Sequence, residues 1–149
     1  MPIREENRGR YPKDWPEISK AIRERASNTC EQCGAPNGCD ILRGLEFGDR
    51  VAYAVPCGIG AHTFDADTGE CLGVRLVQDL KRWGWREVRV VLTVAHLDHQ
   101  PENCDPSNLR AWCQRCHNRY DAKMRRAGIL ERRRAGLAVA DLFAGQQRP

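Results

Sequence analysis

Two Cys-x-x-Cys pairs, Cys30/Cys33 and Cys113/Cys116, constrain this chain more than any other feature. Each pair supplies half of a tetrahedral thiolate site, and four soft sulfur ligands are what Zn2+ takes in a closed structural centre. Gly34 follows the first pair and suits the left-handed backbone that lets both thiols of a tight turn face one centre. The 79 residues from Gly34 to Trp112 separate the two halves. A shared ion therefore closes a long loop and ties the start of the domain to its end. Buried thiols or redox pairs are the competing reading, and the matching halves favour zinc. Eight cysteines in 149 residues would also suit a secreted disulfide scaffold. Met1 to Lys13, however, is charged and contains proline, unlike a secretion signal, and no apolar run reaches the ~18 residues of a membrane span. The expectation is a cytoplasmic protein with no membrane partner.

The length suits one domain, 1–149. Residues 1–13 carry Arg4, Arg8 and Arg10 without an apolar period and read as a loose arm. A helix follows, with Asp14 and Glu17 as a capping box, Pro16 in its first turn, and Ile18, Ile22 and Ala26 as its apolar stripe, ending near Ser27. The stretch 36–85 reads as an insertion of short strands and one short helix, with a turn at Asp67-Thr68-Gly69. Within it, Leu72, Leu76 and Leu80 stand four apart and predict an amphipathic helix ending near Trp83-Gly84. Val88, Val90, Leu92, Val94 and His96 predict one strand face that delivers His96 at its far end. A helix then runs from Cys113-Gln-Arg-Cys116-His117 to about Arg126, where Gly128 stops it. A last helix covers 130–143, with Leu137, Val139 and Leu142.

Three of the four histidines, His96, His99 and His117, lie within 22 residues. His117 and Asp121 are four apart, so one helix face would offer an imidazole and a carboxylate to a divalent ion. A histidine beside such an ion can deprotonate water, because its ordinary pKa lies close to neutral pH. The competing reading makes His117 a helix-start residue beside the zinc site. Lys and Arg number 24 against 20 Asp and Glu, a mild excess that favours a polyanionic partner. Arg119, Lys123 and Arg126 share one helix face roughly opposite His117 and Asp121, while Arg115 and Arg125 are nearer the metal face. For a nucleic acid as that polyanion, the expectation is contact mostly with the backbone, strongly dependent on salt and weakly specific for sequence. Cys39, Cys57, Cys71 and Cys104 read as core or incidental thiols, with a second zinc site built from the first three and His62 as the alternative. Asp65-Ala-Asp67-Thr-Gly69 reads as a hairpin turn rather than a calcium loop.

The block Val94-Ala95-His96-Leu97-Asp98-His99, then Asn108-Leu109, then Cys113-Gln-Arg-Cys116-His117-Asn118-Arg-Tyr-Asp121, resembles the HNH endonucleases that carry an added four-cysteine zinc site. The resemblance covers Cys30 to Cys33 and about residues 88–122. It implies an α+β fold with a small ββα-metal (His-Me finger) core at 30–35 and 86–127, flanked by helices at 1–29 and 128–149 and interrupted by the insertion. It makes His96 the general base, Asn108 the residue that orients loop and base, and His117 a ligand of one Mg2+ or Mn2+ that acts in phosphodiester hydrolysis. The chain departs from the pattern at Ala95, where the family carries a further metal-binding Asp or His. Asp121 is the first candidate to compensate, before Asp98 or His99. A zinc-containing module that binds nucleic acid without cutting it is the alternative function. A structural zinc protein explains the cysteines but not the histidines.

Overall fold

A computed structural model describes residues 5–46 and 48–144, apart from the side chains of Glu6, Lys123 and 137–144. The fold is α+β, with two compact units at 1–117 and 118–149. The first unit begins with a 3-10 segment, Glu5–Arg10, and helix α1, Trp15–Arg25. Strands β1 (Asp40–Leu45), β2 (Val51–Cys57), β3 (Gly60–Asp65) and β4 (Cys71–Leu76) follow, then α2 (Val77–Arg82) and β5 (Arg86–Arg89). They form one antiparallel sheet in the order β4-β3-β2-β1-β5. A separate antiparallel hairpin, β6 (Leu92–His96) with β7 (Leu109–Cys113), runs directly into α3, Gln114–Tyr120. In the second unit α4 spans Ala122–Ala144.

Alternation along the strands of the larger sheet gives it two buried faces. Ile41 and Tyr53 join the core around the cysteines, while Leu42, Ala52, Ala54 and Ala61 pack with Leu80 and Trp85 on the other side. The alanines keep that second face shallow enough for α2 and the Trp85 indole to approach closely. Gly44 allows the same approach, since a Cβ there would lie 2.4 Å from the Trp85 ring.

Several expectations are corrected. The segment 36–85 is no minor insertion, because it builds four of the five strands of the larger sheet and recruits Arg86–Arg89 as the fifth. The predicted strand 88–96 is two strands in different sheets. Gly38 N–H donates to Val90 O and Val90 N–H to Cys39 O at 2.9 Å each, while Gln114 Oε1 accepts from Val91 N–H at 3.2 Å, so Val90-Val91 is held as the crossing point. The Leu72–Leu80 helix is a strand through Leu76 and a helix only from Val77. Asp14 makes no side-chain cap bond to α1, and the helix ends at Arg25 with Ser27 and Asn28 in left-handed conformations. Gly128 does not end a helix but lies within α4. Arg10 and Tyr11 of the presumed loose arm make defined contacts, described below; Arg4 lies outside the described residues, as do the side chains of Leu137, Val139 and Leu142.

Candidate functional site

The tight turn of the first cysteine pair closes as its sequence requires. Gly34 has φ +72°, its N–H donates to Cys30 O at 2.8 Å, and Cys30 N–H donates to Ala35 O at 2.9 Å. The second pair straddles the junction of β7 and α3, so Cys113 ends a strand and Cys116 sits in the first helical turn. Glu31 N–H donates to Ala111 O at 3.0 Å, and Cys113 N–H donates to Cys30 Sγ at 3.3 Å, which joins the two halves. All four buried sulfurs lie within 4.8 Å of one another, with Cys33 and Cys113 3.9 Å apart. A tetrahedron with Zn–S bonds of about 2.3 Å has edges of about 3.8 Å, so the cluster has the size of a zinc site. Packing alone leaves the sulfurs in conflict over protons. Cys113 is pushed down, chiefly by the Cys116 thiol, and Cys116 is pushed up, chiefly by Cys113. A divalent cation bound there would take all four as thiolates.

The larger sheet braces this centre. The buried Tyr53 hydroxyl donates to Cys33 O at 2.6 Å, and burial pushes its pKa up, which keeps it a donor. The turn between β3 and β4 is shaped by Asp65, whose carboxylate accepts from Asp67 N–H at 2.7 Å and Thr68 N–H at 2.9 Å. That turn reaches both halves of the site. Gln32 Nε2 donates to Asp67 O at 3.1 Å, and Arg115 Nη1 donates to Ala66 O at 2.8 Å while pairing with Asp67 Oδ1 at 2.5 Å. Gly69 lies so near that a Cβ would stand 3.0 Å from Cys33 O.

His96 ends β6 with only 8 % of its surface exposed. Its ring stacks on Trp15, with centroids 5.1 Å apart at 22°, and meets the Tyr11 ring edge-on at 5.8 Å and 70°. Cys104 Sγ lies 3.8 Å from His96 Nε2. Burial lowers the His96 pKa, with Asp98 and Glu102 opposing and His117 assisting. Burial likewise raises Cys104, which stays a thiol. Arg10 donates to both oxygens of Glu102, at 2.6 and 3.0 Å, across 92 positions of sequence. Tyr11, Trp15, Glu102 and Cys104 were not identified from the sequence as neighbours of His96.

Asn108 closes the loop after β6. Its Nδ2 donates to Asp98 Oδ1 and to Asn103 O at 2.9 Å each, its Oδ1 accepts from Asp98 N–H at 3.2 Å, and its carbonyl accepts from Leu97 N–H at 2.9 Å. Asp98 has its oxygens engaged by Gln100 N–H, Asn108 and Asn103, and the Gln100 bond first, then Asn108, pulls its pKa down to about 2. The loop thus uses this carboxylate as a staple. His99 takes a left-handed φ of +58°.

His117 returns from α3 to β6, its Nδ1 2.7 Å from Thr93 Oγ1. The Thr93 hydroxyl also lies 3.2 Å from Trp112 O, which it reaches as a donor. Alternation places Ala95, 1 % exposed, on the same face of β6 as Thr93, and His96 on the other. Among the described residues, the four cysteines are the one group of three or more His, Cys, Asp or Glu placed to share an ion. Cys39, Cys57 and Cys71 are exposed rather than part of the core.

In the second unit, Arg125 donates to Asn118 O at 2.9 Å and to Asn118 Oδ1 at 3.1 Å, and Arg119 and Arg126 are exposed. Asp121 falls at the break between α3 and α4, not inside one continuous helix. The Lys123 side chain lies outside the described set. Among the described residues no helix is long and apolar enough to cross a membrane. No protein-family model, curated protein or solved structure matches the chain.

Proposed function

We propose that this protein is a metal-dependent endonuclease that hydrolyses phosphodiester bonds of DNA, with β6, β7 and α3 as a ββα-metal core of the HNH kind. The observation that carries the reading is the joining of His96, Asn108 and His117 by that strand–strand–helix unit. His96 ends the first strand, Asn108 staples the connecting loop, and His117 is oriented from the helix by Thr93. Its lowered pKa keeps His96 neutral at pH 7, the form that accepts a proton from an attacking water. His117 is the proposed protein ligand of one Mg2+ or Mn2+, an ion that keeps several waters and needs few protein donors. When bound, the ion supplies charge stabilisation to the phosphoryl group. Zn2+ on the four cysteines is structural, and a cytoplasmic setting keeps those thiols reduced. Arg119, Lys123, Arg125 and Arg126 supply backbone contacts to DNA. Arg115 is discounted as a phosphate ligand because its guanidinium is bound to Ala66 and Asp67.

Ala95 favours a second reading, a module that binds nucleic acid without cutting it. Position 95 lies on the face of β6 that Thr93 shares with His117, and alanine offers no donor there. Nicking of supercoiled plasmid with Mg2+ or Mn2+ separates the two. For zinc-loaded, folded proteins, His96→Ala is expected to lower the rate by about 10²–10⁴-fold, the range of general-base contributions, and His117→Ala to abolish metal-dependent nicking. Native protein that binds DNA but never nicks it establishes the binding module instead.

A further inference from the structure

The residues that cover His96 come from the start of the chain, a segment with no chemical task in the proposed hydrolysis. Trp15 lies across one face of the imidazole, Tyr11 closes its edge, and His96 is left 8 % exposed. A base that must meet water and a phosphodiester cannot work from under that cover. Trp15 is anchored with α1 on the core, while the stretch before it packs Tyr11 on Trp15 and reaches the following loop through a bidentate ion pair, Arg10 with Glu102. Both partners are about half exposed, 46 % and 55 %. Arginine's fork matches a phosphate as well as it matches a carboxylate, so the pair that holds the cover is one a nucleic-acid backbone can take apart.

We propose that the segment Glu5–Tyr11 is a gate over the edge of His96, latched by Arg10 and Glu102, and that it opens when a phosphate of the DNA backbone takes Arg10 from Glu102. Arg10 is then a substrate-binding residue, and engagement of the polyanion is coupled to exposure of the base. The task assigned to His96 rests on the nuclease reading; the gate itself does not need cleavage to be observed.

The test is the rate at which diethyl pyrocarbonate modifies His96 in the zinc-loaded full chain, read by peptide mass spectrometry against exposed His62 as internal standard. Glu102→Gln and Arg10→Gln are each expected to raise the relative rate roughly two- to fivefold, the range open to one exposed ion pair. The double variant is expected to add little to either. A short DNA duplex without divalent ion is expected to raise the rate in native protein and not in Arg10→Gln. Rates unchanged in both single variants, or a duplex that slows modification of native His96, overturn the gate. Absence of plasmid nicking with the labelling pattern intact overturns the nuclease reading and leaves the gate standing.

Discussion

At the scale of single residues, burial decides what the two central histidines can do. His96 is held between two aromatic rings, and loss of solvent lowers its pKa from the ordinary 6.5. The unfolded chain then binds a proton that the folded chain refuses. Its contribution to stability is therefore fully present above the ordinary value and is lost as pH falls through the depressed one. Imidazole NMR resonances of His96 are expected to titrate below 6.5, and those of His96 in Arg10→Gln, which frees the segment and keeps the Glu102 charge, closer to it. A titration at or above the ordinary value contradicts the buried placement. The cysteine cluster was legible in the sequence because a shared metal restricts residue type and spacing, and His96 was legible as the end of its strand. Tyr11, Trp15 and Glu102 were not, since aromatic and ion-pair contacts across 81 or more positions leave no local pattern.

At the scale of elements, the misreadings have specific causes. Leu72, Leu76 and Leu80 stand at even spacing, which puts residues on one face of a strand as well as one face of a helix. Spacing alone could not separate β4 from α2. The run Val88–His96 is apolar and β-branched throughout, and what breaks it at Val90-Val91 is bonding to Gly38, Cys39 and Gln114. The turn between β3 and β4 was legible as a turn from Asp67-Thr68-Gly69, but its seat against the Cys30–Cys33 turn was not. That seat makes Gly69 sensitive for two reasons, a φ of +79° and the 3.0 Å approach to Cys33 O. Gly69→Ala is expected to destabilise the zinc-loaded protein by about 1–3 kcal/mol, the cost of a strained backbone position, measured by denaturant unfolding. An unchanged midpoint contradicts the packing of that turn on the metal site.

At the scale of the whole molecule, one cluster of four sulfurs organises the described residues of the first unit. It draws together a turn after α1, the end of β7 and the start of α3, and the larger sheet is fastened to it through Tyr53, Gln32 and Arg115. The cysteine spacing alone revealed the tie between the two ends, while the size of the intervening sheet was concealed by strands too short and too broken by turns to count. The proposed base, its loop and its helix are all built against this centre, so the account depends on its holding a metal. The direct measurement is zinc content together with near-ultraviolet circular dichroism during titration with a zinc chelator. One zinc per chain, with the tertiary signal lost in step with the metal and regained on its return, is the predicted result. A chain that keeps its tertiary signal with no metal bound contradicts it.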